Sequence, residues 1–113
     1  MRWPDPAAGG DDDAVFYVTT DAAEPCVFHL HGELDLESAR VLTELPITIR
    51  RDRPVVLDIA ELTFCDSIGL TALIKLRRRV VEDLGQLVLR HPTPAISRLL
   101  ELTGLALVLP VSD

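Results

Sequence analysis

The sequence has few of the residues that specialised scaffolds require. Its 113 residues include two cysteines, Cys26 and Cys65, which are too few for a secreted disulfide framework. Six glycines without a repeat exclude a collagen-like chain. The remaining composition, 48% hydrophobic and 26% charged, is that of a globular protein, and the length suits one domain with its own core.

Long apolar runs and an excess of basic residues are lacking as well. No uninterrupted apolar run approaches the ~20 residues of a membrane-spanning helix. The N-terminus has no apolar region of the kind a signal peptide needs, so we expect a cytoplasmic protein without membrane insertion. Lysine and arginine number 11 against 18 acidic residues, for a net charge of −7. Because proteins that bind a phosphate backbone carry clustered basic residues, we expect no nucleic-acid partner.

The first 13 residues differ in composition from the rest of the chain. They contain two prolines, two glycines and the acidic run Asp11–Asp13, a composition typical of disordered segments. Trp3 is their only aromatic side chain. We therefore predict a disordered acidic arm over residues 1–13 and a single folded domain over residues 14–113.

The rest of the chain alternates between strand and helix patterns. A period of two predicts a hairpin first, and apolar residues at spacings of three and four predict helices later. The predicted elements are strands 14–19 and 26–31, helix 36–50 interrupted at Pro46, strand 55–59, helix 67–84, strand 86–90, helix 95–103 and strand 105–109. This order, β-β-α-β-α-β-α-β, predicts an α/β fold in which a mixed β-sheet with an initial hairpin packs against helices.

The junction between the predicted central strand and the longest helix carries the candidate site. Ser67 follows Asp66 where that helix starts, and serine is among the preferred N-cap residues. A phosphoryl group there would lie near unpaired backbone N–H groups and the positive end of the helix dipole. Phosphoserine adds about −1.5 to −2 charges at neutral pH. The residues alone leave both interpretations of Ser67 open.

Other chemistries find less support in the sequence. Strand alternation places Cys26 on the opposite face from His29 and His31, so these three side chains cannot converge on a metal ion. Ser67 lacks the Gly-x-Ser-x-Gly context of a hydrolase nucleophile, and His91 lies in a His-Pro turn. No glycine-rich phosphate or dinucleotide loop occurs. We therefore expect no enzyme activity, no metal and no cofactor.

Two short blocks resemble a known family. Residues 66–70, Asp-Ser-Ile-Gly-Leu, resemble the phosphorylation-site motif of bacterial anti-sigma factor antagonists, whose fold is the STAS domain. Residues 32–35, Gly-Glu-Leu-Asp, resemble a block that these proteins carry after their second strand. The resemblance covers about residues 14–111 and implies a STAS-type fold. Ile68 departs from the Ser or Thr usual at that position, and we hypothesise that it slows phosphorylation or changes the choice of kinase.

The resemblance implies regulation by partner switching. In the family, the unphosphorylated antagonist binds an ATP-dependent serine kinase that is also an anti-sigma factor, and so frees the sigma factor. Phosphorylation breaks the complex, and a PP2C-type phosphatase restores the antagonist. By position, Ser67 is the implied phosphoacceptor. The implied partner contacts are Asp66, Ile68, Gly69, Leu70, Glu33, Leu34 and Asp35.

Two further points concern partner binding. A second apolar stripe on the long helix, which includes Leu70 and Ile74, suggests an apolar anchor for a partner near Ser67. An alternative function also stays open, because STAS domains serve as non-phosphorylated subunits that dock on lipid-transporting ABC complexes. An intact Asp-Ser-x-Gly-Leu motif favours the antagonist.

Overall fold

The computed structural model of the chain describes residues 2–3 and 16–112. Within these residues, six strands form one sheet in which neighbours follow chain order. The strands are β1 (Arg2–Trp3), β2 (Phe16–Asp21), β3 (Glu24–Leu34), β4 (Val55–Cys65), β5 (Leu87–Arg90) and β6 (Val111–Ser112). The helices are α1 (Ala39–Thr43), α2 (Ser67–Glu82) and α3 (Pro94–Thr103). The pairs β1–β2 and β2–β3 are antiparallel and the later pairs are parallel, which confirms the mixed α/β sheet with an initial hairpin.

One face of the sheet supplies the core together with one stripe of α2. Alternate strand residues point to this face, as the pleat requires. The fully or nearly fully buried side chains include Phe16, Val18, Phe28, Leu30, Leu57, Ile59, Leu73, Leu76, Val80 and Leu89. Burying each large apolar side chain contributes roughly 1.5–3 kcal/mol. This packing fixes α2 against β4 and β5, and with it the position of the residues at the start of α2.

The first helix is much shorter than predicted. The predicted helix 36–50 is wrong over most of its length, because α1 ends at Thr43 and residues 45–50 form neither helix nor strand. Pro46 cannot continue a helix. The guanidinium of Arg79 on α2 instead donates to the carbonyl oxygens of Thr43, at 2.9 Å, and Leu45. These bonds satisfy carbonyl groups at the C-terminal end of α1 and hold α1 against α2.

The central strand is longer than predicted. The predicted strand 55–59 is too short, because β4 continues through Cys65 and pairs in parallel with β3 as far as Leu34. The Thr63 hydroxyl donates to the Gly32 carbonyl oxygen at 3.1 Å, which supports this extension. Most of residues 32–35 therefore belongs to β3, although the predicted strand ended at residue 31. As a result, Leu34 lies directly beside Cys65 at the edge where α2 begins.

Two further boundaries differ from the prediction. Residues 105–109 do not form a strand; Leu105–Leu107 form a 3-10 turn, and β6 follows at Val111. The predicted helix 67–84 is too long at its end, because α2 ends at Glu82, and Leu84 beyond it is exposed and has a positive φ of 64°. Gly104 does end α3 in the left-handed conformation, with φ 76°, as predicted.

The N-terminal residues that are described join the sheet. Arg2 pairs with Thr19 and Trp3 with Val18, and the Trp3 ring lies 6.2 Å from the Phe28 ring. Residues 2–3 therefore differ from the disordered arm predicted over residues 1–13, and residues 4–13 lie outside the described part. None of the helices in the described residues is long and apolar enough to cross a membrane.

Candidate functional site

Ser67 is the first residue of α2, just beyond the carboxyl end of β4. The N-cap of α2 is Asp66, whose carboxylate accepts a hydrogen bond from the Gly69 N–H at 2.8 Å. The prediction that Ser67 is the N-cap is therefore wrong by one residue. Ser67 is exposed, and no group among residues 16–112 hydrogen-bonds its hydroxyl. Because Asp66 already caps the helix, the Ser67 hydroxyl is left without a structural role.

Gly69 brings the start of α2 close to the sheet. A Cβ added there would lie 2.8 Å from Cys65 Sγ and would overlap the carbonyl oxygen of Leu34. The Asp66 N–H also donates to that carbonyl oxygen, at 3.4 Å. Only glycine permits this approach. Gly69 is buried, so it positions Ser67 and offers no side chain to a partner, which corrects its prediction as a contact residue.

Cys65 precedes the site directly in the chain, but its thiol is unreactive at neutral pH. Burial, with a smaller effect of the Asp66 carboxylate, raises the pKa of its thiol to about 12. The thiol is therefore uncharged at neutral pH, whereas nucleophilic and metal-binding cysteines act as thiolates. Its Sγ donates to the Asp66 carbonyl oxygen at 3.6 Å. Cys65 thus contributes packing and one weak hydrogen bond to the turn that carries Ser67.

The turn after β3 is closed by its own side chains. The Ser38 hydroxyl donates to the Glu33 carbonyl oxygen at 2.8 Å and accepts from the Asp35 N–H at 2.9 Å. The Asp35 carboxylate accepts from the N–H groups of Glu37 and Ser38, at 3.1 and 3.3 Å. These bonds make the turn a fixed neighbour of Ser67, because β3 and β4 remain paired up to this point.

Two of the three residues predicted here retain accessible surface. Glu33 is exposed and Asp35 is half-buried, so both can meet a partner. Leu34 is fully buried in the core. The prediction that Leu34 contacts a partner is therefore wrong, because the Leu34 side chain packs in the core beneath the turn.

The apolar anchor predicted on α2 is wrong at Leu70 and stays a prediction at Ile74. Leu70 is 5% exposed and packs in the core, and Ile74 is half-buried against it. The exposed large apolar side chains in the segments where α1 and α2 begin are Leu36 (69%), Phe64 (47%) and Ile68 (40%). Of these only Ile68 was predicted as a contact. Leu36 was missed because it was assigned to the first helix, which in fact begins three residues later.

A groove of about 270 Å³ lies between α1 and α2 next to Ser67. Leu36, Ala39, Ile68 and Ala72 form apolar parts of its lining. Thr71 also lines the groove, and its hydroxyl donates to the Ser67 carbonyl oxygen at 2.9 Å. The exposed hydroxyl and the groove therefore share the first turns of α2.

A separate charged cluster lies on β3, β4 and β5. The Asp58 carboxylate is buried and contacts Arg90 at 3.0 Å, His91 at 3.1 Å and His29 at 3.7 Å. Burial acts to raise the pKa of Asp58, but the Ala60 N–H, Arg90 and His91 outweigh it and lower that pKa. No group of three His, Cys, Asp or Glu side chains within the described residues is arranged to hold a metal ion. This cluster ties neighbouring strands together, away from Ser67.

A family model described as "Mlab, STAS domain" matches residues 18–110. The chain belongs to the STAS domain family. This confirms the family and the STAS-type fold predicted from the motif at residues 66–70 and the block at residues 32–35. Both lie inside the matched region, and the structure brings them to one edge of the sheet.

Individual STAS proteins extend the comparison. An anti-sigma F factor antagonist of Paenibacillus polymyxa is 28% identical over 90 residues, covering 77% of each chain. The crystal structure of a Thermotoga maritima protein that is considered an anti-sigma factor antagonist aligns with a TM-score of 0.64 at 19% identity. The alignment covers 88% of this chain and 87% of the other. The anti-sigma factor antagonist SpoIIAA, solved in its unphosphorylated form, aligns with a TM-score of 0.57 at 18% identity, over 87% and 88%. At these identities the two structures show a shared fold.

Proposed function

We propose that this STAS protein is an anti-sigma factor antagonist that binds a serine-kinase anti-sigma factor and is released when the kinase phosphorylates Ser67. One observation carries the proposal: the Ser67 hydroxyl is exposed and unbonded at the start of α2, while Asp66 caps the helix. The similar protein from Paenibacillus polymyxa is an anti-sigma F factor antagonist, which supports this role, and the structural neighbour SpoIIAA was solved in an unphosphorylated form. By binding the anti-sigma factor, the protein would regulate transcription that depends on the sigma factor.

The position of Ser67 favours a switch that changes the surface and leaves the fold intact. The Asp66 carboxylate already occupies the Gly69 N–H, so a phosphoryl group on Ser67 would face outward beside that carboxylate. It would add about −1.5 to −2 charges to a protein whose net charge is already −7. Each 1.4 kcal/mol changes affinity about tenfold, so two or three lost or repulsive contacts are enough to release a partner.

In this proposal the protein is the substrate of enzymes. The kinase binds ATP and supplies the catalytic groups, the antagonist supplies an accessible hydroxyl that accepts the γ-phosphoryl group, and ADP leaves. The same exposure leaves a phosphoserine open to a PP2C-type phosphatase, which would return the protein to its binding form. Because the kinase uses ATP, the proposed cycle of phosphorylation and dephosphorylation takes place in the cytoplasm.

The experiment is intact-mass analysis after incubation with ATP and each purified candidate serine kinase of the host. We expect one added phosphoryl group on the wild type and none on Ser67→Ala. Thr103→Ala is the matched control, because Thr103 carries an exposed hydroxyl at the end of α3, outside the groove, and this variant should be modified like the wild type. Ile68→Ser in the same assay tests whether Ile68 slows the reaction, and equal initial rates would contradict that hypothesis.

A different result would change the assignment. If some kinases bind the protein and none changes its mass, the switch is refuted. The protein would then be a constitutive docking module, as the STAS subunits of lipid-transporting ABC complexes are. Modification that persists in Ser67→Ala would place the phosphoacceptor elsewhere.

A further inference from the structure

The groove between α1 and α2 has apolar walls that face solvent. Leu36 and Ile68 form its most exposed apolar edges, and Ala39 and Ala72 leave space between the helices. The volume of about 270 Å³ accommodates an apolar side chain or two from another molecule. Exposed apolar surface of this kind, beside a candidate site, marks a place where a partner can bury side chains.

The charge of the groove is opposite to that of the whole protein. Arg40 and Lys75 line it, and no carboxylate does, although acidic residues outnumber basic ones by 18 to 11 in the chain. Lys75 makes no ion pair within residues 16–112. Arg40 pairs with Glu44 at 3.1 Å, but both side chains are exposed, and such pairs contribute little. An acidic segment entering the groove therefore meets the Lys75 ammonium, unpaired among these residues, together with the Arg40 guanidinium beside Glu44.

The walls of the groove are held in place by contacts described above. Arg79 ties the end of α1 to α2, and Gly69 seats the start of α2 against β3. The bonds of Ser38 close the turn that leads into α1. A site that is formed before binding spares the partner part of the ordering cost.

We propose that this groove binds a segment of the partner kinase in which an apolar side chain is flanked by acidic residues. Ile68 contacts the apolar side chain and Lys75 an acidic one, so these two residues determine which kinase is selected. The inference rests on the proposed function, because the groove begins one residue after Ser67. Docking in the groove holds the Ser67 hydroxyl near the kinase active site. Neither Ile68 nor Lys75 touches the phosphoryl group.

The test measures kinase binding and Ser67 phosphorylation separately. The probes are the same purified serine kinases, and the variants are Ile68→Asp and Lys75→Glu, both at exposed positions where folding is little affected. The matched controls are Leu102→Asp and Arg98→Glu on α3, which make the same charge changes at exposed positions outside the groove. Dissociation constants of the unphosphorylated proteins are measured at low and high salt. KM and kcat for phosphorylation are measured for Lys75→Glu.

We expect each groove variant to raise the dissociation constant at least tenfold and both controls to bind like the wild type. For Lys75→Glu the loss should shrink at high salt, and KM should rise while kcat stays constant. If both groove variants bind normally to a kinase that phosphorylates Ser67, the groove proposal is overturned and the proposed function stands. Groove-dependent binding without phosphorylation supports the groove and overturns the switch. If no kinase binds, both proposals fail.

Discussion

The starts of α2 and α3 have the same N-cap hydrogen bond but differ at the first residue of the helix. In both, the N-cap side chain accepts a hydrogen bond from the N–H three residues later, Asp66 from Gly69 at 2.8 Å and Thr93 from Ile96 at 3.3 Å. The next residue is Ser67 in α2 and Pro94 in α3. Proline suits this position because its fixed φ matches the helix and its missing N–H would be unpaired anyway.

This difference shows what Ser67 is free to do. At α3 the first residue of the helix contributes only to helix formation. At α2 the same position needs no hydroxyl for the fold, yet it presents one to solvent beside the groove. An exposed reactive group at a position with no structural demand is what a modification site requires. Substitutions at the two helix starts and in the packing around them test how far these starts differ.

The largest expected effect is that of Gly69→Ala. The added methyl group would overlap the Leu34 carbonyl oxygen and Cys65 Sγ, so the start of α2 must move. We expect a loss of about 3 kcal/mol in the free energy of unfolding, measured by urea denaturation. The control is Gly104→Ala at the end of α3, where φ is 76° and no atom lies within 4 Å of the added carbon. Its cost is the left-handed conformation alone, about 1 kcal/mol. Equal losses would contradict the close approach at Gly69.

The second-largest expected effect is on the charged cluster around Asp58, which contacts the segment between β5 and α3. Asp58 on β4 binds Arg90 and His91, and His91 holds a positive φ of 57° just before that helix. We expect Asp58→Asn to lower the free energy of unfolding by about 2 kcal/mol at pH 7, because a buried charged hydrogen-bonding group is lost. The exposed Asp52, paired with Arg50 at 2.7 Å, is the control, and Asp52→Asn should cost much less.

This effect has a defined pH dependence. The pKa of Asp58 in the folded protein lies below its ordinary value of 3.8, because the Ala60 N–H, Arg90 and His91 outweigh burial. Its contribution to stability is therefore fully present above the unfolded pKa. It is lost as the pH falls through the folded pKa. The gap between wild type and Asp58→Asn should narrow below about pH 4, and a gap that stays constant down to pH 3 would refute the role of the charged form.

The fold was predictable where local signals are strong. The helix predicted over residues 95–103 and the hairpin predicted from the period of two agree with the structure to within a few residues. The errors arose where tertiary contacts decide. The length of α1 depends on Arg79, which is distant in sequence, and the extension of β4 depends on pairing with β3. The apolar run 105–109 fits either a strand or a turn.

The helix start that carries Ser67 was predictable to within one residue. Asp and Ser are both good N-caps, so adjacent Asp66 and Ser67 could not be ranked from composition. The partner surface was harder, because Ile68 and Leu70 lie about 100° to either side of Gly69 on the helix. Nothing in the local pattern distinguishes these two sides. The packing of α2 in the core buries Leu70 and leaves Ile68 in the groove.

The smallest effects compare the two helix starts directly. Asp66→Ala and Thr93→Ala each remove an N-cap, and we expect each to lower the free energy of unfolding by about 1 kcal/mol. Ser67→Ala should change it by less than about 0.5 kcal/mol, since an exposed side chain without a bond is removed. Urea denaturation of the three variants at neutral pH measures these differences. A loss for Ser67→Ala as large as that for Asp66→Ala would show that the hydroxyl supports the helix, and the argument that Ser67 is free for modification would lose its basis.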